Sequence, residues 1–214
     1  GSRRHYDVSH DPVLARDGAV IGVAVFAADV TERRRAEADR LAHLRFFESL
    51  DLINRALQGT NDLEQMMSDV LDAVLEVFEC DRAWLVYPCD PASATYRVPM
   101  ERTRPEYPGA LARGLEVPVD PETARVLQAV RVSSGPVTFG PGLQQPLPTA
   151  LSQRFQVQSQ IAVAVHPKVS LPYVFGLHQC SYRRTWTPDD GKLLQEIGRR
   201  LGDALHVGIQ RRGD

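Results

Sequence analysis

Cysteine is scarce: Cys80, Cys89 and Cys180 are the only three in 214 residues, an odd and sparse set that cannot make a disulfide scaffold. Few thiols fit a reducing compartment, so the cytoplasm is the expected location. Long apolar runs are missing too. No stretch approaches the ~20 residues that a membrane-spanning helix needs, so no membrane is expected as a partner of this segment. Gly1-Ser2-Arg3-Arg4 is followed by no apolar stretch of the kind a secretory leader carries. Excess charge of either sign is also lacking. Lys and Arg number 25 against 27 Asp and Glu, a formal net charge of −2, which argues against a nucleic-acid partner. There is no CxxC pair and no glycine-rich phosphate loop; Gly140-Pro141-Gly142 is too proline-rich to serve as one. What the chain does have is 43% apolar residues, enough to bury a core.

Tyr6 to Val13 (YDVSHDPV) and Ala19 to Val30 (AVIGVAVFAADV) flank Arg16-Asp17-Gly18, and an Asp-Gly pair between β-prone runs predicts a hairpin over about residues 5–29. Thr31 stands where a helix N-cap belongs, with Glu32 in the favourable first turn. Arg33 to Gln58 contains neither Gly nor Pro, and Leu41, Leu44, Phe47, Leu50, Ile53 and Leu57 recur at helical spacing. Gly59-Thr60-Asn61-Asp62 ends this helix and caps a second one running to about Phe78. Strands are predicted at Arg82–Pro88, Thr95–Met100, Pro136–Phe139, Ser159–Val165 and Tyr173–Cys180. Helices are predicted at Pro121–Val130, at Thr149–Phe155 and from Pro188 onward. An antiparallel sheet with helices on one side satisfies this order, because the terminal helices each carry a single apolar stripe.

Two stretches resemble known families. In VIGVAVFAADVTERRRAE (Val20 to Glu37), Asp29, Thr31, Glu32 and Arg33 resemble the Asp-x-Thr-Glu-Arg motif that leads from the last strands of a PAS domain into a signalling helix. A whole PAS domain needs roughly 100 residues and its own core, so the resemblance implies a C-terminal PAS remnant at residues 1–32 and a linker helix at 33–58. FGLHQCSYRRTWTPDDGKLLQEIGRRLGDAL (Phe175 to Leu205) resembles the last strand and final helix of GAF domains in phytochrome-like and cyanobacteriochrome-like sensors. PMERTRPEYPGALARGLEVPVD (Pro99 to Asp120) is similar to the same group. This second resemblance covers about residues 42–210 and implies an α+β fold of GAF type. Its parts are a six-stranded antiparallel sheet flanked by helices, a pocket on one sheet face, and N- and C-terminal helices that form a homodimer. It implies a sensory, non-catalytic relay in a two-component system, passing a signal to a downstream histidine kinase or diguanylate cyclase.

Trp84, Tyr96 and Phe175 are expected in the core with some facing the cavity, and His178 and Cys180, an i, i+2 pair, face one side of their strand. Arg102, with Arg104 and Tyr107, sits in a proline-rich segment expected at the pocket mouth, where a clamp on an acidic ligand is one reading and solvated loop charge the other. Two candidate ligands make no zinc site. Bilin-binding relatives carry a Cys-His pair before the penultimate strand, whereas Pro146 to Leu151 holds neither, so covalent attachment by that route is excluded and Cys89 is the remaining thiol to consider. The cofactor or ligand is left unidentified. Two rivals stand beside the sensory reading. One is a thiol-dependent enzyme resembling the free methionine sulfoxide reductases, against which Glu79 and Asp81 beside Cys80 weigh by raising its pKa. The other is a structural dimerisation spacer. Gly198 and Gly202, four apart on the final helix, are expected to admit another backbone closely, with the 33–58 helix and a second copy as the partners considered.

Overall fold

A computed structural model describes residues 3–168 and 170–213 of the chain, which divide into two compact units, 1–48 and 49–214. The first unit begins with strands β1 (Tyr6–Leu14) and β2 (Val20–Asp29), paired antiparallel from Tyr6↔Asp29 to Leu14↔Val20. Gly18 takes φ +86, the left-handed conformation that favours glycine, and Ala19 N–H donates to the Asp17 carboxylate. The Asp-Gly hairpin is thus present as expected. Helix α1 (Thr31–Gln58) follows directly and runs through the boundary between the units. At its start the Asp29 carboxylate accepts from Thr31 N–H and the Thr31 hydroxyl accepts from His5 N–H. Along α1, Leu41, Leu44 and Phe47 are exposed, whereas Leu50 and Ile53 are buried in the second unit.

The second unit is built on one six-stranded sheet in the order β5-β4-β3-β8-β7-β6, with every neighbouring pair antiparallel. Its strands are β3 (Arg82–Tyr87), β4 (Thr95–Thr103), β5 (Val117–Pro118), β6 (Val137–Phe139), β7 (Ser159–Val165) and β8 (Tyr173–Gln179). Helix α2 (Leu63–Phe78) is capped by Asp62, whose carboxylate accepts from Gln65 N–H, and it packs on β3 and β4. Helix α5 (Pro188–Gly213) packs on β7. Helix α3 (Pro121–Val132), with Asp120 as its cap and proline in the first turn, and the short α4 (Thr149–Phe155) cover the other face. Helices therefore lie on both faces, not on one. The α3 and α4 side collects Trp84, Val86, Val98, Leu127, Val130 and Phe155 into a single apolar cluster.

Gly198 and Gly202 do allow a close approach, but to the sheet: Gly198 to its side chains, Gly202 to backbone as well. A Cβ on Gly198 would stand 3.0 Å from Val163 Cγ1, and one on Gly202 would stand 3.5 Å from the His166 carbonyl oxygen. Their missing side chains let α5 settle directly onto β7.

Candidate ligand-binding site

Strand alternation sends Arg82, Trp84 and Val86 of β3 toward α3 and α4, and their opposite numbers Ala83 and Leu85 toward α2. On β8 the same side receives Val174 and His178, and between them Gly176 leaves room for the Trp84 indole. A Cβ on Gly176 would lie 2.3 Å from that ring. On β4 Tyr96 and Val98 point the same way, but then the register slips by one residue opposite Leu85–Tyr87. Val98 and Pro99 together oppose Val86, a β-bulge at a residue with no N–H to give the ladder. Beyond it the parity is reversed. Glu101, directly across from Trp84, faces the cavity, and Arg102 turns to the α2 side and pairs with Asp72 at 3.0 Å.

These side chains, with Leu127 of α3, Leu151 of α4 and others, line a partly open cavity of ≈ 70 Å³. Its walls are mainly apolar. At its base lies a buried polar group. The Arg82 guanidinium, 1% exposed, donates to the carbonyls of Tyr107, Pro108 and Phe155 and approaches Nδ1 of His178 at 2.9 Å. A guanidinium only donates, so His178 Nδ1 accepts and its Nε2–H donates to Gln160 Oε1 at 2.9 Å. His178 is therefore the neutral tautomer. Burial, and secondly the Arg82 charge, hold its pKa far below the ordinary 6.5. Glu101 lies 3.8 Å from Arg82 Nε, an ion pair too long for a hydrogen bond, and it accepts from Leu111 N–H at 3.2 Å. Burial raises the Glu101 pKa against the lowering effect of Arg82 and the Leu111 N–H. Two buried donors, Arg82 Nε and Trp84 Nε1, find no acceptor among the described residues.

Of the six residues singled out from sequence, Trp84, Tyr96 and His178 line this cavity. Phe175 does not: it is fully buried on the opposite face, 3.9 Å from where a Gly198 Cβ would lie. Arg102 is turned away by the bulge, and Arg104 bonds the Cys80 carbonyl beside Asp81. Cys180 shares the His178 side but packs its thiol against the Phe155 carbonyl at 3.8 Å, outside the lining. Arg82, Glu101 and Gln160 are lining residues that the sequence reading missed. Pro148 and Leu151, from the thiol-free segment before β7, form part of the wall.

The thiols are poor nucleophiles. Cys80, Cys89 and Cys180 are all buried, and burial pushes their pKa values to about 12, about 11 and about 11. At Cys80 burial outweighs the Asp81 charge, which adds in the same direction. No cluster of three or more metal-ligating side chains occurs among the described residues, and none of the described helices is long and apolar enough to cross a membrane.

Residues 62–205 match the model of the GAF domain family, and the chain belongs to that family, whose members are sensory ligand-binding modules of signalling proteins. Among solved structures the chain is similar to a biliverdin IXα-bound protein in its far-red absorbing dark state (TM-score 0.62, 18% identity, covering 75% of this chain and 99% of that one). It is equally similar to the phycoerythrobilin-bound GAF domain of a cyanobacterial phytochrome (TM-score 0.62, 17% identity, 79% and 99% covered). The GAF domain of a phosphoenolpyruvate-protein phosphotransferase from Coxiella burnetii is a third (TM-score 0.61, 11% identity, 80% and 98% covered). At these identities the likeness is one of fold. No curated protein matches the chain.

Proposed function

We propose that this chain is the sensory relay of a cytoplasmic two-component signalling protein, binding a small ligand between its sheet and helices α3 and α4. It is non-catalytic itself and acts on a downstream histidine kinase or diguanylate cyclase. The observation that carries this reading is the polar group of Arg82, Glu101, His178 and Gln160 buried at the base of an apolar cavity. A buried ion pair gives little stability over apolar residues of the same volume, so a dimerisation spacer has no use for it. The raised thiol pKa values weigh against the reductase alternative. Pockets for drug-sized ligands run to about 300–1,000 Å³, so a cavity of ≈ 70 Å³ favours a much smaller molecule over a tetrapyrrole.

The first unit supports the PAS-remnant reading. Val8, Ile21, Val23, Val25 and Phe26 of its hairpin are all exposed, and a lone two-stranded sheet has no means to cover them. Signal entry through α1 and exit through α5 follows from their places in the chain, with homodimerisation through these helices. The exposed Leu41, Leu44 and Phe47 supply an apolar stripe for that contact. Native mass spectrometry of freshly purified protein, with an absorption spectrum, tests the ligand. A non-covalent adduct lost in the Arg82→Met variant is expected. Protein free of adduct, and without a thermal shift across a metabolite panel, would overturn the sensory reading. Sedimentation at micromolar concentration tests the dimer, and a strict monomer refutes it.

A further inference from the structure

The cavity's chemistry narrows its ligand further, and the argument rests on the sensory reading above. Its charges balance: Arg82 is positive, Glu101 lies 3.8 Å from it, and His178 is held neutral by its hydrogen bonds. An anion hydrogen-bonded to Arg82 Nε would also face the Glu101 carboxylate, so added negative charge is opposed. The two donors without an acceptor among the described residues, Arg82 Nε and Trp84 Nε1, belong to side chains that are 1% and 6% exposed and line the cavity. A buried donor left unmade costs free energy, so both call for an acceptor. Most of the rest of the wall, including Val86, Val98, Leu127 and Leu151, offers apolar contact, with Tyr96, Thr123 and Gln160 as its further polar side chains. An apolar cavity of 150 Å³ takes benzene, so ≈ 70 Å³ holds roughly three heavy atoms, and the partly open mouth admits a molecule slightly larger.

We infer that the cavity takes a small, neutral, apolar molecule bearing a carbonyl-type acceptor, with its oxygen accepting from Trp84 Nε1 and Arg82 Nε and its hydrocarbon body against the valines and leucines. A ketone, an aldehyde or an ester group meets this description; a carboxylate, an amine and a pure hydrocarbon do not.

Three probes of five heavy atoms separate the alternatives: butanone, its acceptor-free isostere 2-methyl-1-butene, and propionate. Each is titrated into ¹⁵N-labelled protein while the two indole N–H resonances are followed, assigned with the Trp84→Phe variant. Butanone is expected to move the Trp84 indole proton downfield in a saturable way and leave Trp186 unmoved. The alkene and propionate are expected to bind at least tenfold more weakly. Followed by the backbone amide shifts of β3 and β8 in place of the indole, Trp84→Phe should cost butanone at least fivefold in affinity and leave the alkene unaffected. Equal binding of alkene and ketone overturns the inference, because the donors are then irrelevant. Tighter binding of propionate overturns it in favour of an anion site, and silence from all three overturns it outright. A charged or larger molecule found by native mass spectrometry would sink this ligand class and leave the sensory reading standing.

Discussion

His178 gives the sharpest test of how the cavity is built. Its ring is 5% exposed, takes a hydrogen bond from Arg82 and gives one to Gln160, and its folded pKa lies far below 6.5. In the unfolded chain it titrates near the ordinary value. Below pH 6.5 the unfolded state therefore binds a proton that the folded state refuses, and stability falls as pH falls. One full proton is worth about 1.36 kcal/mol per pH unit, which integrates to about 2 kcal/mol between pH 7.5 and 5.0. Glu101 works in the opposite sense, because its folded pKa is raised above 4.5: there the folded state holds the extra proton, and stability falls as pH rises through that window. The clean comparison is thus Glu101→Gln against Glu101→Gln/His178→Gln, with urea unfolding followed at pH 7.5, 6.5, 5.5 and 5.0. The other five histidines are common to both proteins and cancel. Glu101→Gln should lose about 2 kcal/mol relative to the double variant over this range. A difference that stays constant with pH would refute the buried, neutral assignment of the ring.

Arg82→Met strands Glu101, three backbone carbonyls and His178 Nδ1 at once, so urea unfolding should show a loss of about 3–5 kcal/mol. Adding Glu101→Leu should recover part of it, and a loss under about 1 kcal/mol in the single variant contradicts the pairing. Gly176→Ala drives a methyl into the Trp84 indole, costing about 1–3 kcal/mol and shifting Trp84 fluorescence; unchanged stability and emission contradict the packing. Ellman's reagent at pH 8 should find the native thiols inert over minutes and all three reactive in denaturant. Rapid reaction of any native thiol reopens the reductase alternative.

The element order and the antiparallel sheet were legible in the sequence because Gly-Pro punctuation and helical stripes are local signals. The pocket was only half legible. Arg102 was expected in a proline-rich segment at the pocket mouth, but β4 runs on to Thr103 and the bulge at Val98-Pro99 turns Glu101 inward and Arg102 away. Proline inside that strand was the available warning. Phe175 lies in the core as expected, but the face it takes was not legible. Strand β8 is apolar on both faces, so alternation alone does not say which face meets which helices; Gly176 beneath Trp84 does. Arg82 went unnoticed because it opens its strand beside Asp81, where an arginine reads as edge polarity. Only the carbonyls of Tyr107, Pro108 and Phe155, brought from distant parts of the chain, make its burial tolerable.

The two glycines that seat α5 on the sheet bear on how a bound molecule is felt. Val174 and His178 touch the cavity from one side of β8, while Phe175, one position along, packs beside Gly198 on the other. Strand β8 and the Phe175 ring separate the cavity from α5, with no side chain on the two glycines to add to that distance. In the proposed relay, a shift of that strand would reach α5 through Phe175.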